Sequence, residues 1–464
     1  MTGRSGSAPG SELAVELADL QRDTLGYFLH EANPGNGLVR DNTRYGAPAS
    51  IAAVGLGLAC YAVAAERGFL TREEAAERVL VTLKFFAESP QGPGPDAVGY
   101  RGFFYHFLDL RTGRRAHACE ISTMDTALLI AGALTAAAYF DRGIKEEEAI
   151  RSLADSLFQA ADWEWALDGG LALRHGWTPE DGFLPHRWEG YNEGLILYAL
   201  ALGSTTHPVP EESYSAWAAT YEWKKFYGIE YLHGGPLFLH QLSHVWIDFR
   251  GLRDEFMRRK GIDYFENSRR ATLVQQRYAE HNPRRFRGYS SRIWGVTASD
   301  GPGPAVRRVD GRVRRFFDYC ARGVPRGPDD GTLSPWAVVA SLPFAPEIVL
   351  PTITGYLERY PAMRTHYGFL CSLNPTFAAS GGGRRGWISR GYYGLDQGPV
   401  VLMIENFATG MIWSLIRRCR PIVDGLRRAG FTGGWLDESA RRSSGGRKSG
   451  SGLARTSGGM ENSS

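Results

Sequence analysis

Trp188-Glu189-Gly190-Tyr191-Asn192-Glu193-Gly194 runs straight into Leu195-Ile196-Leu197-Tyr198-Ala199-Leu200-Ala201-Leu202, so a glycine-flanked polar turn opens an apolar helix. A helix that is apolar on every side has to be buried on every side. The layout recurs at Glu120-Ile121-Ser122-Thr123-Met124-Asp125-Thr126, which leads into the apolar run 127–134. Working outward, the leucines at 13, 17, 20 and 25 share one helical face, and 50–67 is rich in Ala, Leu and Val. Thr71-Arg72-Glu73-Glu74 reads as a capping box. Periodicity predicts further helices over 122–140, 145–163, 191–203, 213–227, 236–247, 251–258, 263–281, 346–359 and 398–418. No segment reads as a series of strands, and no strand–helix alternation suggests a parallel sheet. The expected class is therefore all-α, with one domain over 12–435. Residues 1–11 and 436–464 are Gly/Ser/Arg-rich and are expected to be disordered.

Composition narrows the function classes. The net charge of the 464 residues is +3, and part of it falls in the tail, where Arg441, Arg442, Arg447, Lys448 and Arg455 outweigh Asp437, Glu438 and Glu461. A nearly neutral body argues against nucleic acid as a partner. The five cysteines are scattered, without a CxxC pair or a disulfide framework, which fits a reducing compartment. No signal peptide opens the chain, so the expected location is cytoplasmic, or periplasmic or secreted if a leader is missing. No uninterrupted apolar run is long enough for a membrane span. GxSxG, Walker A and GxGxxG motifs are absent.

What remains is carboxylates and rings at helix entrances. Carboxylates move protons on and off glycosidic oxygens, and 12 Trp, 21 Tyr and 23 Phe supply faces that can stack on sugars. Glu193 is the candidate general acid, with Glu189 competing for the role; the helix dipole alone would also favour an acid there. Asp125 is the candidate second carboxylate, with Glu120 and Glu405 in reserve. Long loops at 90–115, 168–190 and 294–332 carry aromatics and are expected to line a cleft. His240 and His244, spaced i, i+4, could share a metal, but Gln241 stands where a zinc protease needs its glutamate. They are better suited to hydrogen-bonding substrate or neighbouring helices. No metal or cofactor is expected.

Several segments together resemble the bacterial glucoamylase-like family, which is similar to endo-β-1,2-glucanases and to a domain of cyclic β-1,2-glucan synthases. They are 191–204, Gly235-Pro236-Leu237-Phe238 through His244-Val245-Trp246-Ile247-Asp248, Tyr264-Phe265-Glu266-Asn267-Ser268, 294–301, 341–347 and 398–406, in one order from about Leu13 to Arg418. The resemblance implies an (α/α)6 toroid, a barrel of helical hairpins with its cleft in the long loops. It also implies a metal-independent glycoside hydrolase with Glu193 as general acid. Asp125 stands where relatives carry an acid before Thr-Ala, often Glu. Cys371-Ser372-Leu373-Asn374-Pro375 departs from the Asp-Ala-Phe-Asn-like pattern of the family.

The reading is hydrolysis of a β-linked glucan, foremost β-1,2-glucan, with Glu193 and Asp125 catalytic. Trp188, Tyr191, Trp246 and Trp294 are expected to stack on sugars. Asn192, His240, His244, Asp248, Asp300 and Glu405 are expected to bind hydroxyls. The alternatives are a retaining glucan transglycosylase and a non-catalytic glucan-binding or envelope-assembly protein.

Overall fold

A helix of Ala, Leu, Val and Gly has no polar face to turn to water, and the chain buries several such helices side by side. In the computed structural model the described residues are 9–94, 96–377 and 386–437. The helices are α1 (Pro9–His30), α2 (Ile51–Glu66), α3 (Arg72–Glu88), α4 (Thr123–Tyr139) and α5 (Lys145–Ala160). They continue with α6 (Leu195–Gly203), α7 (Glu212–Ala218), α8 (Leu242–Trp246), α9 (Glu255–Lys260) and α10 (Tyr264–His281). The last are α11 (Pro335–Ala340), α12 (Pro346–Arg359), α13 (Gly394–Ala408), α14 (Met411–Ile416) and α15 (Arg420–Arg428). The fold is predominantly helical, and one continuous apolar core runs through it from Leu17 to Leu436.

Every residue of α2 from Ile51 to Ala64 is buried, as is all of α6. α2 packs against α4 and α13, α4 against α6, and α6 against α8 and α15. The amphipathic helices α3 and α5 pack outside α2 and α4. The contact of α2 with α4 is made backbone to backbone. A Cβ on Gly132 would lie 1.9 Å from the Gly55 carbonyl oxygen, and one on Gly55 would lie 2.3 Å from Leu128 O. Only glycine permits that approach.

Short strands fasten the helix entrances. Gly99–Tyr100, Phe103–Tyr105, Ile121–Ser122, Gly176–Thr178 and Gly182–Phe183 form an antiparallel five-stranded sheet in that order. Ser122 ends its strand and caps α4, its hydroxyl accepting from Asp125 N at 3.1 Å. Ser50 likewise pairs with Phe107 and caps α2. The Thr71 capping box forms in both directions.

The differences from the sequence reading have local causes. The helix expected over 213–227 ends at Ala218, because Trp223–Phe226 pairs with Ile229–Leu232 across Tyr227-Gly228, both at positive φ. The run 398–418 is two helices, broken at Gly410 (φ 69°). The expectation for 236–247 resolves into a 3-10 turn, Leu237–His240, and α8. α1 starts at Pro9, inside the expected N-terminal tail, while residues 1–8 and 438–464 of the expected tails lie outside the described residues. No helix among the described residues is long and apolar enough to cross a membrane.

Ala for Gly ordinarily favours a helix by about 1 kcal/mol, so Gly132→Ala separates propensity from packing. The clash with Gly55 should prevail and destabilise the protein by about 1–3 kcal/mol. Calorimetry would show a lowered Tm; an unchanged or raised Tm would refute the close approach.

Candidate active site

The entrances of six helices meet around a cavity of about 540 Å³. Ser50 before α2, Asp125 in α4, Glu193 before α6, Leu242 in α8, Trp336 in α11 and Asp396 in α13 all line it.

Glu193 is held by its backbone. Asn192 Oδ1 accepts from Gly194 N at 2.9 Å and from Trp217 Nε1 at 3.2 Å, and Ser243 Oγ donates to the Glu193 carbonyl at 2.5 Å. Burial pushes the Glu193 carboxyl up to about 7, with the Asp125 charge adding to the effect and a backbone hydrogen bond opposing it. An acid in that range is a proton donor at neutral pH.

Asp125 projects from the first turn of α4, where its Oδ2 accepts from Ser122 Oγ at 2.5 Å. His106 bridges it to Glu120, with Nε2 3.5 Å from Asp125 Oδ2 and Nδ1 2.9 Å from Glu120 Oε1. Burial disfavours the imidazolium, but Asp125, Glu120 and Asp41 outweigh it and push the ring up to about 9. Burial also works to raise Glu120, yet its bond to His106 leaves that carboxyl below its usual range. Trp188 stacks on His175, centroids 4.0 Å apart, and donates from Nε1 to Thr123 Oγ1 at 3.0 Å.

Asp41, Tyr319, Tyr393 and Asp396 form another part of the lining. Burial pushes Asp41 up, and it pushes Asp396 well above the carboxylate range, where Asp41 and Asp300 reinforce it. Sequence reasoning named none of these four as site residues, nor His106. Asp396 carried the signal used for Glu193 and Asp125, an acid at the entrance of an apolar helix. Among the described residues no lysine or arginine lines the cavity.

Of the expected site residues, the structure gathers Glu193, Asp125, Glu120 and Trp188 in the cavity. The other expectations of substrate contact are corrected by burial and by partners already present. Trp246 and Trp294 are fully buried core rings. Tyr191 packs on Tyr264 and His240. Asn192 is spent on the turn. His240 Nε2 pairs with Gly234 O and His244 Nε2 with Ser268 Oγ, and burial brings both rings down to about 3. Asp248 takes Arg250 and Arg417. Asp300 takes Arg44 and Ser389. Glu405, at 0% side-chain exposure, takes Arg67 through both oxygens, with Gln21 and Thr409. Among the described residues no three His, Cys, Asp or Glu side chains group as a metal site.

Comparison with known proteins adds to this geometry. The sequence model of a family described as putative glucoamylase matches residues 185–420. A solved structure of a putative glucoamylase from Bacteroides uniformis is 31% identical, with a TM-score of 0.81 over 93% of this chain and 100% of that one. The endo-β-1,2-glucanase of Chitinophaga pinensis, solved with sophorotriose and glucose, is 25% identical, with a TM-score of 0.78 over 93% of this chain and 100% of the other. The exo-β-1,2-glucooligosaccharide sophorohydrolase of Parabacteroides distasonis is 27% identical over 89% of this chain, which spans 57% of that protein's length.

Glu405→Ala tests the correction made for that residue. Leaving Arg67 without its buried partner should cost about 3 kcal/mol, seen as an earlier urea midpoint. Activity per folded molecule should survive; a specific loss of kcat in stably folded protein would restore Glu405 to the site.

Proposed function

Because the chain belongs to the putative glucoamylase family, we propose that it is a metal-independent glycoside hydrolase that cleaves β-1,2-linked glucan. The observation that carries the reading is Glu193, a carboxyl pushed up to about 7 in the cavity that also holds Asp125. In the proposed reaction protonated Glu193 donates to the leaving glycosidic oxygen, directly or through a substrate hydroxyl. Asp125 activates the water that attacks the anomeric carbon. Two carboxyls with unlike environments are what this chemistry uses, one holding its proton and one free of it. Trp188 presents its ring to the cavity as a sugar platform. The similarity to the Chitinophaga and Parabacteroides enzymes supports the β-1,2 linkage.

We read the helices as an (α/α)6 toroid in one domain. α2, α4, α6, α8, α11 and α13 would be the inner ring, each giving its entrance to the cavity. Contacts of α2 with α4, α4 with α6, α6 with α8, α11 with α13 and α13 with α2 support that order. Gln241, just before α8, donates to Ala337 O and Ser341 Oγ and bridges α8 to α11.

Linear β-1,2-glucan, laminarin and starch, assayed beside Glu193→Gln, test the reading. Oligosaccharides should be released from β-1,2-glucan, and Glu193→Gln should lose about 10²–10⁴-fold in kcat. Products from starch alone, or an unimpaired Gln variant, would overturn the substrate or the acid. The pH profile gives a separate check. Glu193 acts in its protonated form, so kcat/KM should fall as pH rises through about 7. A rate still climbing past that point would remove Glu193 from the donor role.

A further inference from the structure

The acid–base scheme gives no role to His106, although backbone hydrogen bonds and a stacked ring hold it in the cavity. Its backbone N–H donates to Glu120 O at 2.9 Å, and its carbonyl accepts from Ile51 N at the entrance of α2, at 3.3 Å. Phe107 lies flat against the imidazole, with centroids 4.0 Å apart and planes 13° apart. So placed, Nδ1 meets Glu120 at 2.9 Å and Nε2 faces Asp125 at 3.5 Å.

Both ring nitrogens therefore face carboxylate oxygens. A neutral imidazole has one N–H and one lone pair, so it would turn a lone pair toward one of the two acids. Nδ1 hydrogen-bonds Glu120, and the imidazolium adds a charge contact from Nε2 to Asp125 at 3.5 Å. The charged groups around the ring point the same way: Glu120 from the sheet, Asp125 from α4, and Asp41 from the segment ahead of α2. Among the described residues no lysine or arginine lines the cavity, and the ring is the cationic group recorded against Asp125.

We propose that His106 is a positioning residue for glucan hydrolysis, an imidazolium set between Glu120 and Asp125 that fixes Asp125 for water activation. The inference rests on the reading of Asp125 as the water-activating carboxylate. A positive charge beside a carboxylate favours its ionised form. His106 thereby sets the lower pH edge of activity, while Glu193 sets the upper one.

The experiment is a set of pH–rate profiles on a β-1,2-linked gluco-oligosaccharide for wild type, His106→Gln, His106→Ala and Asp125→Asn. Glutamine retains a donor but carries no charge. His106→Gln should move the acid limb of kcat upward by about one pH unit, with the alkaline limb in place and KM little changed. His106→Ala should show the same shift with a further fall in kcat, because the carboxylates lose their strap. A purely structural histidine would lower activity at every pH without moving the acid limb. An unshifted limb in His106→Gln beside an inactive Asp125→Asn would overturn the role of His106 alone. Wild-type kcat in Asp125→Asn would instead overturn the assignment of Asp125, and the role of His106 with it. NMR titration of the labelled ring in wild-type protein needs no variant. Both ring protons should persist across roughly pH 5 to 8, and loss of one within that range would overturn the proposal.

Discussion

The fold turns on the contact of two helices at two glycines. Gly55 in α2 and Gly132 in α4 bring the backbones together, and the caps of the two helices, Ser50 and Ser122, line the same cavity. The chain from Phe103 to Leu108 can then pair with both entrances, Tyr105 with Ile121 and Phe107 with Ser50. His106 sits between those two pairings. A wider separation of the helices would break one pairing or the other, and the imidazole would no longer reach both acids. The chemistry of the cavity is thus set by a packing distance in the apolar interior.

Charge is distributed by a simple division. Acids that hold the structure have arginine partners, as Asp248 has Arg250 and Arg417, Glu405 has Arg67, and Asp330 has Arg322. Among the described residues no arginine lines the cavity with the acids Asp41, Asp125, Glu193 and Asp396, which stand near helix N-termini, whose partial positive charge favours anions. Burial and mutual repulsion then decide which of them keep protons. That is how Glu193 comes to hold a proton close to neutrality while Glu120, bonded to His106, does not.

Much of this was legible in the sequence because it is local. Period and apolar content marked the helices, and an acid at the mouth of an apolar helix marked Glu193 and Asp125. The same mark lies on Asp396, where Gly394-Leu395-Asp396 opens α13, and the sequence reading did not use it. The residues misassigned to substrate failed for one physical reason. Trp246 and Trp294 are sealed in the core, and Asp248 and Glu405 spend their charge on partners that include residues far off in sequence, Arg417 for Asp248 and Gln21, 384 residues away, for Glu405. His106 was illegible for the converse reason, since its role exists only once strands fix it against residues 14 and 19 places further on. The hairpin at Trp223–Leu232 was within reach, because Tyr227-Gly228 between two aromatic and aliphatic runs is a turn signal that helical periodicity overrode.

The cavity draws on both halves of the chain. Asp41, His106, Glu120 and Asp125 precede residue 185, where the matched family segment begins, whereas Glu193, Tyr319, Trp336 and Asp396 lie within it. The proposed proton donor and the groups proposed to tune its partner therefore lie on opposite sides of that boundary. Drift in the amino-terminal portion could silence bond cleavage while the carboxy-terminal portion still displayed every hallmark of the lineage. A descendant of that kind would keep the cavity without turnover, giving evolution a short path from catalysis to binding alone.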